Sequence, residues 1–345
     1  MALHQPYRFA VALFAGDGSS LGSVPAKRDW EPAIEWTRFH FQRRGDLALD
    51  GSGDVSILPL WERSVGEPYC RGYSIEIARP GGRPVAWDFP KTHFRELAST
   101  AASIFVERQL LHEGDSYSYI LVAYPAPQES PEINGLTVTN TSPQLPVQEA
   151  SPKTLLARAK PYGAIDNDDM PVFISGQLLA EAAQRTHGAE GTETGGILIG
   201  LLGRDAASGD IFAHATAQIP AEHTTGTEVK LTFTPQTWAA ADAALRLRGR
   251  GECYLGYWHS HPVRRWCAAK ACSAEQQKNC PLAKDFFSAD DQAVMRAAFP
   301  RAYSIAIVAN DTAFADLSFS MFGNREGILG QPRGFYVLEE ETSAT

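Results

Sequence analysis

Gly256-Tyr257-Trp258-His259-Ser260-His261-Pro262 is the segment on which the reading of this chain turns. It closes an apolar strand, predicted over Tyr254 to Trp258, with two histidines at i and i+2. Alternate residues of a strand project to the same side, so both imidazoles can reach one metal ion. Neutral imidazole is a good zinc ligand, and a catalytic zinc site characteristically takes three protein ligands and leaves a fourth position for water. Outward from this segment the pattern predicts strands at Val172 to Ile174, Gly195 to Leu202, Ile211 to Ile219, Val229 to Phe233, Tyr303 to Ala309 and Phe314 to Phe322. Helices are predicted at Gln177 to Thr186, Trp238 to Leu247 and Ala289 to Phe299. Mixed strands and helices of this kind imply an α/β sandwich.

A third metal ligand is available downstream. Phe287-Ser288-Ala289-Asp290-Asp291-Gln292 opens the predicted helix, whose first turn sets Asp291 one turn from Ser288. A carboxylate from Asp291 completes a His, His, Asp set. The same residues also suit an ordinary helix start, in which Ser288 caps and the acidic residues complement the helix dipole without any metal. A proton acceptor is found in Glu193-Thr194-Gly195-Gly196-Ile197-Leu198-Ile199-Gly200, where Glu193 precedes an apolar strand. A carboxylate at the edge of a buried strand is costly without a partner, and a water on a metal is one such partner. A solvated loop glutamate is the plainer alternative.

Taken in order, Glu193, His259-Ser260-His261-Pro262 and Ser288-x-x-Asp291 resemble the JAMM motif of the MPN-plus, or JAB, zinc metallopeptidases, which include deubiquitinases and bacterial relatives. The resemblance covers roughly Pro171 to Phe322. It implies an α/β fold: a C-terminal JAB/MPN, cytidine-deaminase-like α-β-α sandwich over 166–345. It also implies that His259, His261 and Asp291 hold zinc with water as fourth ligand, that Glu193 carries the proton and that Ser288 stabilises the oxyanion. The implied partners are a ubiquitin-like protein or its conjugate, with E1/E2-like enzymes of the same pathway beside it. Relatives of this kind often accompany ubiquitin-like conjugation or antiviral operons. Two further readings share the motif: a JAB-type hydrolase releasing an amino acid from a sulfur-carrier protein, and a catalytically silent MPN scaffold. A zinc deaminase is disfavoured because the chain lacks His-x-Glu and Pro-Cys-x-x-Cys elements.

The chain departs from the family pattern between His-x-His-Pro and Ser-x-x-Asp, where residues 263–287 form a long insertion. It holds Cys267, Cys272 and Cys280, with Cys253 not far upstream. Because it leaves and rejoins catalytic segments, it is expected beside the cleft, as a lid or substrate-selecting loop. Three thiols with Cys253 or an oxygen or nitrogen donor are a candidate second, structural zinc site, although Cys-x4-Cys-x7-Cys is not a specific spacing. Reduced unpaired thiols and a disulfide are the alternatives.

Residues 1–125 read as an α+β accessory domain. Strands are expected at Tyr7 to Phe14, Val55 to Leu60, Tyr73 to Ile77 and Tyr117 to Tyr124, a hairpin at Pro80-Gly81-Gly82, and helices around Trp30 to Phe41 and Thr92 to Leu111. Its aromatics read as core, and no chemical motif stands out. Residues 126–165, rich in Pro, Ser and Thr, read as a linker. At 345 residues two domains are expected. A formal charge of -9 disfavours nucleic acid as a partner. The short apolar run Phe9 to Phe14 lacks the flanks of an export signal, and no run reaches the roughly 20 residues of a membrane span. The cytoplasm is therefore expected, with no membrane partner. Five cysteines, four of them between Cys253 and Cys280, are a poor pattern for a secreted disulfide framework.

Overall fold

The computed structural model describes residues 2–62, 69–126, 144–221, 233–283, 286–312 and 317–339. The chain divides into two units, Met1–Leu145 and Pro146–Thr345, each of mixed α/β structure.

In the first unit the elements run β1 (Leu3–His4), β2 (Tyr7–Ala15), β3 (Ser20–Pro25), α1 (Glu31–Arg43), β4 (Val55–Glu62), β5 (Tyr69–Ile77), β6 (Val85–Pro90), α2 (Arg95–Glu107) and β7 (Tyr117–Pro125). The sheet order is β1-β4-β5-β7-β2-β3, with β6 also paired to β5. Alternation along β2 turns Phe9, Val11 and Leu13 inward, where they share a core with Ala33, Ile34 and Trp36 of α1 and Ala98, Ala101 and Phe105 of α2. The aromatics belong to this core: the Trp30 ring lies 5.0 Å from Tyr73 and 5.6 Å from Phe9. The Pro80-Gly81-Gly82 turn joins β5 to β6 with Ile77 opposite Val85. The helix expected over Thr92 to Leu111 is shorter. Lys91–Phe94 forms a 3-10 turn and α2 ends at Glu107, with Gln109 following at φ 59. The edge strand β3 was not expected, because its two apolar residues, Leu21 and Val24, are separated by Gly22 and Ser23 and the strand ends in proline.

The second unit begins inside the stretch expected to be linker. Residues 127–143 lie outside the described residues, but β8 (Val147–Glu149), α3 (Lys153–Leu156) and β9 (Ala159–Tyr162) follow at once. Next come β10 (Val172–Ser175), α4 (Gly176–Gly188), β11 (Gly195–Arg204), β12 (Ile211–Pro220), α5 (Pro235–Arg248) and β13 (Cys253–His261). The insertion contributes α6 (Val263–Ala269) and α7 (Ala274–Lys278). The unit closes with α8 (Ala289–Ala298), β14 (Ile305–Asn310), β15 (Ser318–Arg325), β16 (Ile328–Arg333) and β17 (Phe335–Leu338). The expected strand Val229 to Phe233 falls largely on residues 222–232, outside those described.

Among the described residues the sheet of this unit runs β16-β15-β14-β13-β11-β12-β10-β17-β9, with β8 paired to the far end of β11. Helices cover both faces. On one, Tyr257 packs against Phe299 at the end of α8 and joins a core with Ile197, Ile199, Ala241 of α5, Met295 and Val308. On the other, the neighbouring Trp258 donates Nε1–H to Gln218 at 3.1 Å, and Gln218 donates to Glu181 of α4. Burial from both sides explains why every residue of β14 is buried and why its sequence is continuously apolar up to Asn310. Thr234 caps α5 by accepting from Thr237 N–H, Pro235 follows, and Gly249 ends the helix in the left-handed region at φ 56. No helix among the described residues is long and apolar enough to cross a membrane.

Arg248 and Glu252 tie α5 to the start of β13. The Glu252 carboxylate, 1% exposed, accepts from Arg248 Nε at 2.6 Å and Nη2 at 2.7 Å, and from Thr216 Oγ1. These bonds, Arg248's first, hold the Glu252 carboxyl below its usual range. A depressed folded-state pKa contributes stability above the unfolded value, which is lost as pH falls through the folded one. Glu252→Gln is expected to cost roughly 1.5–3 kcal/mol at neutral pH. The gap to wild type should shrink below about pH 4. Urea denaturation of both proteins at pH 7 and pH 3.5 checks this; a gap independent of pH would show that the charge is not what matters.

Candidate metal centre

Two features of β13 aim its last residues. Register with β11 sets His259 opposite Gly195, and register with β14 sets it beside Val308, so the strand end is held on both sides. Ser260 locks the approach of the preceding loop: its N–H donates to Thr194 O at 2.8 Å and its Oγ accepts from Thr194 N–H at 3.0 Å. Glu193, one residue before Thr194, is thereby fixed at the edge of the sheet. It is 8% exposed, so it is not a solvated loop residue.

His259 and His261 are both 2% exposed and point to the same side of β13. Their Nε2 atoms face each other at 3.0 Å. Asp291 meets them from α8, with Oδ1 at 3.1 Å from His259 Nε2 and Oδ2 at 3.7 Å from His261 Nε2. Ligand atoms from all three residues lie within 4.8 Å of one another. Tetrahedral zinc with bonds of about 2.0–2.1 Å separates neighbouring ligand atoms by roughly 3.3 Å, so the donor set fits a small divalent cation. Burial pushes the Asp291 carboxyl up, but hydrogen bonds from His259 and His261 outweigh it and hold the group well below the carboxylate range. Burial likewise lowers the pKa of His261 and favours the neutral, metal-binding imidazole. The Nδ1 atoms of both histidines are buried without a hydrogen-bond partner, so here the rings are oriented by packing.

Ser288 and Asp291 cap the helix, and Asp291 also faces the two histidines. They form a capping box on α8: Asp291 N–H donates to Ser288 Oγ at 3.1 Å, and Ser288 N–H donates to Asp291 Oδ2 at 2.8 Å. That use leaves Asp291 Oδ1 facing His259. The Ser288 hydroxyl acts only as an acceptor in the cap, so its proton remains available to a further acceptor. Tyr257 steadies the turn from below, donating its hydroxyl to Asp291 O at 3.0 Å. Burial, then the Asp291 and Glu193 charges, raise the Tyr257 phenol well above its ordinary pKa and keep it a donor.

All five expected site residues, Glu193, His259, His261, Ser288 and Asp291, line one cavity of about 670 Å³. Its volume is that of a ligand-sized pocket. Asp290, set aside as a ligand on register grounds, lines the cavity but is not part of the three-donor group. The insertion lies beside the cleft, as its connections led one to expect, but the individual wall residues carried little sequence signal. The insertion supplies Trp266, Lys270, Leu282 and Phe286, and Trp266 and Phe286 lie 5.2 and 5.6 Å from the His261 ring. Val294 and Ala297 of α8 and Phe233 complete an apolar side. Only Tyr257 carried a usable signal, since it stands two residues before His259 on the same face of the strand.

No protein-family model matches this chain, and no curated protein matches it. Among solved structures, the solution structure of protein DSY2949 from Desulfitobacterium hafniense aligns with 50% of this chain and 97% of its own length. Its identity is 17% and its TM-score 0.35. A likeness at that level says nothing further about this chain.

The three cysteines of the insertion converge at a neighbouring cavity of about 790 Å³. All five cysteines are free thiols, and Cys253, at the opposite end of β13 from the histidines, is not among those lining it.

Proposed function

We propose that this protein is a zinc-dependent metallopeptidase of the JAMM type, with a JAB/MPN-like C-terminal domain, that hydrolyses the amide bond after the C-terminal tail of a ubiquitin-like protein. The observation that carries the reading is the convergence of His259 Nε2, His261 Nε2 and an Asp291 oxygen on one side of a cavity whose walls also present Glu193 and Ser288. The resemblance of the motif supplies the substrate class. It also makes the cytoplasm, where such conjugates are handled, the place of action.

Zinc, when bound, would polarise the scissile carbonyl and lower the pKa of a water from 15.7 to about 7. The chain's own residues then divide the work. His259, His261 and Asp291 hold the ion. The Glu193 carboxylate takes a proton from the attacking water and returns it to the leaving amine, so that the C–N bond breaks and a carboxylate and an amine remain. The Ser288 hydroxyl donates to the oxygen on which negative charge develops. Trp266, Leu282 and Phe286 restrict water around these groups and strengthen each of those interactions.

The test is metal content of the purified protein beside His261→Ala, followed by cleavage of a panel of ubiquitin-like fusions and lysine conjugates. Metal bound by the wild type and lost in the variant, with cleavage lost alongside, is the expected result. Cleavage that persists without metal would sink the reading.

A further inference from the structure

The insertion presents a physical problem. Across Val263 to Ala283 the buried side chains are Val263 and Cys267 alone, yet the segment folds into α6, α7 and two well-bonded turns. Arg264 and Arg265 tie the start of α6 to Asp311, Thr312 and Glu190, but the stretch beyond it has little apolar burial, and small units without a core of their own are often held by a cross-link or a metal. The cysteines sit where a cross-link would act. Cys267 is in the last turn of α6, Cys272 lies just beyond its end, and Cys280 follows α7.

The backbone brings the three together: Cys272 N–H donates to Cys267 O at 3.0 Å, Gln277 Nε2 donates to Cys272 O at 2.9 Å, and Cys280 N–H donates to Gln277 O at 3.2 Å. All three residues line one cavity, Cys267 buried and Cys272 and Cys280 half-exposed. The three sulfurs do not form a triangle as tight as the His259, His261 and Asp291 donors. Cys272 and Cys280 lie on half-exposed turns, so closing that triangle requires only loop adjustment.

We infer that Cys267, Cys272 and Cys280 form a second metal site, for zinc or another thiophilic divalent cation, that pins the insertion as a wall of the catalytic cavity. A disulfide would use two of the three sulfurs and leave the third. A metal uses all three, with the fourth position open to water or to Glu275 or Asn279, which line the same cavity. On binding, each thiol releases its proton to solvent and no electron moves. The consequence for the cleft rests on the function proposed above. α6 starts directly after Pro262 and carries Trp266 against His261, so fixing Cys267 fixes that ring.

The experiment compares reduced wild type, Cys272→Ser, Cys280→Ser and His259→Ala/His261→Ala by zinc content and by titration with Co2+. Thiolate ligation of Co2+ gives a charge-transfer band in the near ultraviolet that nitrogen and oxygen ligands do not give. About two equivalents are expected in the wild type and about one in each variant. The thiolate band should persist in the double histidine variant and be lost in both serine variants, with circular dichroism confirming that they fold. If the serine variants keep the wild-type metal content, or Co2+ binds without the thiolate band, the inference is overturned. If the wild type binds one equivalent that survives in the histidine variant, the cysteine site stands and the catalytic reading falls; with no metal in any form, both fall.

Discussion

Glu193→Gln is expected to leave metal content at the wild-type level while lowering kcat/KM toward an amide substrate by roughly 10²- to 10⁴-fold, the range for loss of a positioned proton carrier. Glutamine keeps the size and polarity of the side chain, which matters for a residue only 8% exposed and pinned through Thr194 to Ser260. What it cannot do is accept and return a proton. The loss should therefore appear in kcat, with KM little changed, because the substrate meets the same walls. It should also separate cleanly from His261→Ala, in which the metal itself goes. Metal analysis and steady-state kinetics on one preparation read both quantities. Wild-type turnover in the glutamine variant would remove Glu193 from the mechanism, and loss of metal would show that it is a ligand.

The elements that set the site were largely legible because each carries its own local signal. Two histidines at the end of an apolar strand, a Ser-x-x-Asp before an apolar helix stripe, and an acidic residue before Gly195 to Gly200 are all short-range patterns. The ambiguity at Ser288 and Asp291, cap or ligand, had no answer in sequence because one carboxylate has two oxygens that can take the two parts. One Asp291 oxygen closes the capping box and the other faces His259. The strands that escaped notice are short or interrupted. β8 has three residues and β9 has four, too few to show a period of two. β16 carries Gly330 and Pro332, which mark a turn in sequence and are tolerated there because the strand is at the sheet edge. That the insertion borders the cleft followed from its connections, but which side chains form the walls did not. Phe233, Trp266 and Val294 meet only through the tertiary fold, and nothing in their spacing announces a shared surface.

Gly256→Ala is expected to cost on the order of 4 kcal/mol or more and to abolish metal binding at the histidines, although residue 256 touches no ligand. Gly256 has φ +149, and a Cβ built on it would stand 1.7 Å from Ile305 O, the backbone of the adjacent strand. The position is not incidental. Pairing of β13 with β11 jumps at this point, with Leu198 opposite Gly256 but Ile199 opposite Tyr254, so Leu255 is the extra residue of a bulge. An extra residue reverses which face the remainder of the strand presents. Downstream of it, Tyr257, His259 and His261 turn toward α8. Removing the bulge would put them on the α4 face, away from Asp291. Alanine cannot hold the bulge, so the strand either separates from β14 or slips, and both outcomes disperse the three donors. Gly249→Ala is the control: it too has positive φ, at +56, but its Cβ meets nothing nearer than Arg246 O at 3.9 Å. It should cost about 1–2 kcal/mol and leave the metal bound. Urea unfolding and Co2+ titration of the two variants decide the matter; a Gly256→Ala protein with near-normal stability and metal affinity would mean that the bulge does not aim the site.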